Sequence, residues 1–129
     1  MQLASDNRKI QVHDNPLFSC SAYYTDWRKS FIEGVPWHWH DEIEFAVVVD
    51  GEADAEFGEV RTHLKTGWGI FVNAGVLHRI NMSGCETCQV HSFVVDADLL
   101  AGGALYSTKY IHPITSCSSF YGLALYRII

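Results

Sequence analysis

Short apolar segments separated by turn residues recur through most of this chain, and this spacing limits the possible folds more than any other feature. Turns at Asp50-Gly51, Gly58-Glu59 and Asn73–Gly75 belong to a series in which successive turns lie eight to twelve residues apart. No segment before residue 96 has a helical period. This regular spacing of turns is typical of an all-β sandwich or barrel, and it predicts a jelly-roll barrel.

Individual segments carry predictions about strands and burial. Phe18 to Trp27 predicts a first strand, and the uniformly apolar run Phe45 to Val49 predicts a strand buried on both faces. Residues 52–57 alternate acidic and apolar side chains, which predicts one face in water. Asp50-Gly51, which joins the last two segments, is a hairpin signal.

The two ends of the chain differ from its middle. Residues 1–15 are polar and aperiodic, so we expect a tail or an edge strand, then the barrel over 16–115 and a C-terminal segment over 116–129. Asp96 to Tyr106 predicts a short helical turn after the barrel. Because residues 118–129 hold seven large apolar side chains, we expect them to begin a dimerisation or linker helix, buried in a homodimer.

Composition limits the class of protein. At 129 residues, 48% hydrophobic and 19% charged, the chain has the size and composition of one globular domain. Its net charge of −6 and the lack of a basic cluster argue that this chain does not bind DNA by itself. It shows neither a signal peptide nor a membrane span, so we expect a cytoplasmic protein without membrane contact.

The four cysteines include one pair with the spacing of a zinc knuckle or a redox motif. Cys85 and Cys88 form this CxxC pair, and no second pair completes a set of four ligands. A chain of this size with ample apolar residues does not need a disulfide framework. We expect reduced thiols in a plain loop between strands.

Three histidines and one glutamate stand at spacings that suit a metal ion. His38 and His40 are two residues apart, so in an extended chain both imidazoles face one side of a strand. Glu44 follows four residues later, and His78 comes after the Asn73–Gly75 turn. Each histidine alone would be read as a structural residue, but together they offer the mixed nitrogen and oxygen ligands that suit Zn, Fe, Mn, Ni or Cu.

These residues also carry a resemblance to a known family. His38, His40, Glu44 and Gly51 fit the spacing of the first cupin motif, and the stretch from Gly67 through Gly75 to His78 is similar to the second. The resemblance implies a cupin-type jelly-roll barrel in which His38, His40, Glu44 and His78 bind a divalent metal. Three positions depart from the motifs without removing a ligand. Gly34 lies closer to His38 than the pattern has it, Asn73 replaces a proline, and Met82 takes the place of the final asparagine.

More narrowly, the amino-acid sequence in and around both motifs, over residues 16–115, resembles the sensing domain of AraC-type bacterial transcription regulators. That resemblance implies a small-molecule effector, bound with or without a metal, and DNA contact only through a helix-turn-helix domain absent from this chain. We expect an apolar pocket beside the cluster, with ligand contacts from four residues near the motifs. These are Trp39, Phe71, His91 and Phe93.

The alternative is a free-standing metal-dependent cupin enzyme, such as a dioxygenase or an isomerase. The sequence lacks a nucleophile elbow, a phosphate loop and the order of a Ser/His/Asp triad, so any catalysis would have to be centred on the metal. We therefore expect a binding domain and not an enzyme. The two hypotheses differ in what the reading frame encodes after Ile129.

Overall fold

The computed structural model describes residues 20–28, 34–101 and 107–129. Within these ranges the chain forms nine β-strands in two antiparallel sheets. The strands are β1 Cys20–Arg28, β2 Gly34–His38, β3 Ile43–Asp50, β4 Ala53–Phe57, β5 Val60–Leu64, β6 Gly69–Val72, β7 His78–Met82, β8 Thr87–Val95 and β9 Gly122–Leu125. One sheet has the order β1-β8-β3-β6-β9 and the other the order β2-β7-β4-β5. The predicted jelly-roll barrel is confirmed.

Two turns that look alike in the sequence connect their strands in different ways. Gly58 lies in the predicted Gly58-Glu59 turn and closes a hairpin between β4 and β5, where Phe57 pairs with Val60. Asp50-Gly51 does not form a hairpin, so that prediction is wrong: β3 pairs with β6 and β8, and β4 pairs with β5 and β7. At Asp50-Gly51 the chain instead passes from one sheet to the other, as a two-sheet barrel requires.

The hydrophobic core lies between the sheets. Its largest fully buried apolar side chains are Trp27, Phe57, Leu64, Ile70, Val48 and Val72. β4 buries its three apolar residues and turns Asp54 and Glu56 outward, as the alternation predicted. β3 is buried on one face only, because Phe45 is 39% exposed and Val47 is half-buried. The prediction of burial on both faces is wrong, since the outer face of this part of the sheet lies open among the described residues.

The segment after the barrel is helical first and extended later. The predicted turn is present as α1, Ala97–Ala101, whose Asp98 amide donates to Asp96 Oδ1 at 2.9 Å. A π-helical turn, Ser107–Ile111, continues into α2, His112–Thr115. The helix expected in residues 118–129 is wrong, because β9 lies there and pairs with β6. Its apolar residues extend a sheet of the same chain.

Some predictions fall on residues that the structure does not describe. The tail predicted for residues 1–15 and the beginning of the first strand at Phe18 lie outside the described residues. The division into tail, barrel and C-terminal segment therefore stays a prediction. Among the described residues, none of the helices has the length and the apolar character needed to cross a membrane.

Candidate metal centre

Four buried side chains meet where the two sheets face each other. His38 ends β2, His40 lies two residues beyond it, Glu44 is the second residue of β3, and His78 begins β7. Their candidate ligand atoms all lie within 4.8 Å of one another. Each of the four residues is at most 8% exposed. Three of the four residues thus lie on strands, and His40 lies in the short connection between β2 and β3.

The sheet topology explains why residues distant in sequence converge. His38 pairs directly with His78 across β2 and β7, which places their rings side by side with centroids 4.2 Å apart. A bend at Asp41-Glu42 then carries the chain into β3, which belongs to the other sheet, and brings Glu44 in from the opposite side. The cluster therefore joins the two sheets.

Backbone carbonyls fix the orientation of all three imidazoles. Each Nδ1 bonds to the carbonyl of a residue two positions away, and a carbonyl only accepts, so each Nδ1 carries the proton. The bonds are His38 to Pro36 at 2.8 Å, His40 to Glu42 at 2.9 Å and His78 to Val76 at 2.7 Å. In a neutral imidazole, Nε2 then keeps its lone pair, which is the arrangement found in metal-binding histidines.

The sequence patterns did not predict these carbonyl partners. The signal that could have found them is the spacing itself, because a histidine ring in an extended segment can reach a carbonyl two residues away. Pro36 and Val76 precede their histidines by two positions, whereas Glu42 follows His40 by two.

The electrostatics of the cluster favour a neutral His38 beside a charged Glu44. Burial, followed by the neighbouring His78, lowers the pKa of His38 to about 4. Burial would by itself raise the pKa of Glu44, but the neighbouring His40, whose Nε2 lies 3.1 Å from Oε1, and the nearby His78 outweigh it and lower that pKa. At neutral pH, His38 thus offers a free lone pair and Glu44 a negative charge, which are the forms that bind a cation.

One buried atom lacks the partner that its chemistry requires. His78 Nε2 is buried without a hydrogen-bond partner in the described structure, and its distance to Glu44 Oε1 is 3.6 Å. Leaving a buried polar atom unsatisfied costs about 1–3 kcal/mol. A cation bound among the four ligand atoms would satisfy this nitrogen, so the residues present fit a metal ion.

The donor set limits which metals suit the site. Three imidazole nitrogens and one carboxylate oxygen match Zn, Ni, Fe or Mn, whereas a site for Mg or Ca would consist of oxygen ligands. With four protein ligands, a metal that prefers six-coordinate geometry would retain open positions for water or a small ligand. The identity of the metal does not follow from these residues.

Comparison with known proteins agrees with this geometry. Residues 33–95 match the family model of the cupin domain, a range that includes all four residues of the cluster. This part of the chain is therefore similar to a cupin domain.

Solved cupin structures show the same fold at low sequence identity. The cupin domain of Cnp3 from Schizosaccharomyces pombe has a TM-score of 0.57 and 14% identity, over 71% of this chain and 65% of that one. An RmlC-like cupin protein from Methanocaldococcus jannaschii has a TM-score of 0.55 and 13% identity, over 60% and 71% respectively. Oxalate decarboxylase from Bacillus subtilis, studied for its Mn(II) centres, has a TM-score of 0.54 and 16% identity, over 61% and 22%. These likenesses establish the double-stranded β-helix fold.

A curated relative is a regulator. The chain is 26% identical over 106 residues to YdeC of Bacillus subtilis strain 168, an uncharacterised HTH-type transcriptional regulator. The match covers 82% of this chain and 36% of the relative. The chain thus spans about a third of the length of the curated relative that it matches.

The aromatic residues predicted to line a pocket beside the cluster lie elsewhere in the cupin barrel. Phe71 and Phe93 pair in register with Phe45, which turns away from the interior, so both lie on the outer face of the five-stranded sheet. Phe93 is 47% exposed there. The structure does not bring either ring beside the histidines, because the register of distant strands, which the sequence does not reveal, decides the face.

Two further predicted ligand contacts also lie away from the cluster. His91 pairs with the outward-facing Val47 and packs against Tyr24, with ring centroids 4.6 Å apart. Trp39 lies between the two inward-facing histidines of the first motif and is half-buried, so strand alternation directs it to the opposite side. The structure does not bring either side chain to the four ligands.

The CxxC pair shows no sign of a second metal site. Cys88 is buried in β8, and burial, with smaller contributions from Cys85 and Asp50, raises its pKa to about 12. Cys85 lies in the preceding turn, where its thiol donates to the carbonyl of Glu52 at 3.5 Å. A thiol held protonated in this way is a poor metal ligand and a poor nucleophile.

Proposed function

We propose that this cupin domain is the metal-dependent sensing domain of an AraC-type transcription regulator. One observation carries the metal-binding part: three imidazoles, fixed at Nδ1 by backbone carbonyls, turn Nε2 toward the buried carboxylate of Glu44. Because the three rings are already oriented, binding a metal loses little of their conformational entropy. A bound divalent transition metal would supply positive charge and open positions for a small ligand.

The regulatory part rests on the similarity to an HTH-type regulator. At 26% identity the match covers most of this chain but about a third of the relative, which leaves room there for further domains. In this proposal the cupin domain binds metal or a small-molecule effector in the cytoplasm, and a helix-turn-helix domain elsewhere in the polypeptide contacts DNA. The net charge of −6 agrees with a domain that leaves DNA contact to another part.

Metal content tests the binding part directly. Protein purified without chelator or a metal-affinity tag should contain about one transition metal per chain, and added Zn²⁺ should raise the melting temperature of metal-stripped protein by mass action. Both effects should disappear in the His40→Ala/His78→Ala variant. Full metal occupancy in that double variant would contradict the proposal.

The reading frame beyond Ile129 tests the regulatory part. Continuation into two helix-turn-helix motifs supports a regulator, whereas a stop codon directly after Ile129 supports the alternative of a free-standing metal-dependent enzyme. An enzyme of that kind would use the same four ligands and bind its substrate at an open metal position. Loss of promoter binding when the cluster is mutated in the longer protein would add functional support.

We also infer a homodimer, which is the commonest form of soluble oligomer. Exposed apolar side chains at the end of the chain, among them Leu123 at 53% and Ile129 at 74%, favour association there or along an edge strand, β1 or β9. Light scattering over a dilution series should show a dimer that weakens in a Leu123→Glu/Ile129→Glu variant. A monomer at every concentration in the unchanged chain would refute this inference.

A further inference from the structure

Asn73 occupies the turn between β6 and β7, where the cupin motif has a proline. Asn73 is 2% exposed, and both the nitrogen and the oxygen of its side-chain amide are hydrogen-bonded. Nδ2 donates to the carbonyls of Ile114 at 2.9 Å and Phe120 at 3.0 Å, whereas Oδ1 accepts from the Ala74 amide at 2.9 Å. Two carbonyl acceptors and one amide donor admit a single orientation of the side-chain amide.

The backbone of Asn73 adds a third bond to the same region. Its N–H donates to the carbonyl of Tyr121 at 2.9 Å. Asn73 therefore makes three hydrogen bonds to residues 114–121, the segment that runs from the end of α2 to β9 and that we call the C-terminal strap. A proline at this position has neither a side-chain donor nor a backbone N–H, so it could make none of the three.

The same turn also contacts two of the metal-site histidines. The Gly75 amide donates to the carbonyl of His40 at 2.9 Å, and the Val76 carbonyl accepts the Nδ1 proton of His78 at 2.7 Å. The Val76 amide bonds back to the carbonyl of Asn73 at 3.3 Å, which closes the turn. Only two residues, Ala74 and Gly75, separate Asn73 from Val76, whose carbonyl orients His78.

We propose that Asn73 is a positioning residue that couples metal binding at the four-residue cluster to docking of the C-terminal strap. With the strap docked, Asn73 holds the turn in the geometry that aims His78 Nε2 at the cluster. With the strap released, the Val76 carbonyl loses part of its support, and the His78 ring is less well oriented. This inference rests on the proposed function, because it requires the cluster to bind a metal.

Linkage makes the coupling reciprocal. If docking of the strap strengthens metal binding by some factor, metal binding must strengthen docking of the strap by the same factor. Metal would thus reduce the opening of residues 114–121, which directly precede β9. Metal binding at the cluster would in this way stabilise the C-terminal strap, which in the proposed regulator lies between the cluster and a following domain.

Two variants separate the strap bonds from the rest of the turn. Asn73→Asp keeps an oxygen for the Ala74 amide but removes both side-chain donors, and Asn73→Pro restores the residue that the motif expects. Supporting groups around metal ligands typically change affinity 10- to 100-fold, and Asn73 acts one step further out, so we expect a roughly 3- to 10-fold loss. Cys117→Ser is the matched control, since it changes the strap without touching Asn73.

The experiment measures Zn²⁺ affinity by calorimetry and hydrogen exchange of the strap with and without Zn²⁺, using the full chain. In the unchanged protein and in Cys117→Ser, Zn²⁺ should slow exchange at the amides of Ser116, Cys117 and Phe120, which donate within the strap region. In a folded Asn73 variant that slowing should be lost and the affinity reduced. A purely structural role for Asn73 would raise exchange equally with and without metal.

The outcomes distinguish this inference from the proposed function. If the unchanged chain binds Zn²⁺ at the cluster, but strap exchange is independent of Zn²⁺ or the Asn73 variants bind it equally well, the coupling is overturned and the metal site stands. If the unchanged chain binds no Zn²⁺, Mn²⁺ or Ni²⁺, both are overturned. Should Asn73→Asp fail to fold, the same measurements on Asn73→Pro decide.

Discussion

Among the described residues of the barrel, two clusters combine histidine with carboxylate, one inside and one outside, and their chemistry is opposite. Inside, the four-residue cluster of His38, His40, Glu44 and His78 is buried between the sheets. Outside, on the same sheet as His78, His63 lies between two carboxylates, with Nδ1 2.8 Å from Asp54 Oδ1 and Nε2 2.8 Å from Glu52 Oε1. Both clusters consist of histidine and acidic residues, but the groups that contact the histidine ring nitrogens differ.

The partners of the ring nitrogens decide the protonation state in each place. Both ring nitrogens of His63 face carboxylates, which accept when ionised, and the bonds to Asp54 and then Glu52 raise the pKa of His63. In the interior, carbonyls take only the Nδ1 protons, and burial with the neighbouring His78 lowers the pKa of His38 to about 4. An imidazolium has no lone pair for a metal, so of these two clusters only the inner one is prepared to bind a cation.

The largest expected effect comes from the core beneath the inner cluster. Phe57 is fully buried and pairs with His78, so Phe57→Ala should reduce the free energy of unfolding by about 3–5 kcal/mol. The same change at Phe93, which is 47% exposed on the other sheet, should cost about 1 kcal/mol or less. Urea denaturation of both metal-free variants measures this difference. Equal losses would mean that the interior beside the cluster is loosely packed.

An intermediate effect is expected when a carboxylate of the inner cluster, but not one of the outer cluster, is replaced by a neutral amide. Glu44→Gln keeps the shape of the side chain but removes the buried charge, and it should weaken Zn²⁺ binding by at least about 10- to 100-fold, or roughly 1.4–2.7 kcal/mol. Glu52→Gln is the matched surface change and should leave the affinity unaltered. Calorimetric titration decides. If the two variants lose affinity equally, Zn²⁺ does not bind at the inner cluster.

The smallest expected effect concerns the outer cluster and depends on pH. Because the folded-state pKa of His63 is raised above 6.5, its stabilising contribution is fully present below pH 6.5 and is lost as the pH rises through the folded-state value. The pair is exposed, so His63→Gln should reduce the free energy of unfolding by less than about 1 kcal/mol at low pH. Denaturation of both proteins across pH measures the difference. A gap that widens with rising pH would contradict the account.

The sequence supports the prediction of the inner cluster far better than that of its surroundings. His38 and His40 share a face because strand alternation is local, and the spacing of Glu44 and His78 matches known motifs. The face on which Phe71 and Phe93 lie depends on register between strands far apart in sequence, which local patterns do not specify. Likewise, β9 is extended because an open edge of β6 accepts it, and its apolar composition alone would also suit a helix.

The geometry of the inner cluster predicts that three histidines present Nε2 to a metal while Nδ1 stays protonated on a carbonyl. Long-range proton–nitrogen spectra of the histidine rings during titration of metal-stripped protein with Zn²⁺ test it directly. Of the seven histidines, His38, His40 and His78 should change at Nε2 and keep Nδ1 protonated, whereas the other four should stay unchanged. A change at His63, or coordination through Nδ1 at the inner cluster, would contradict the account.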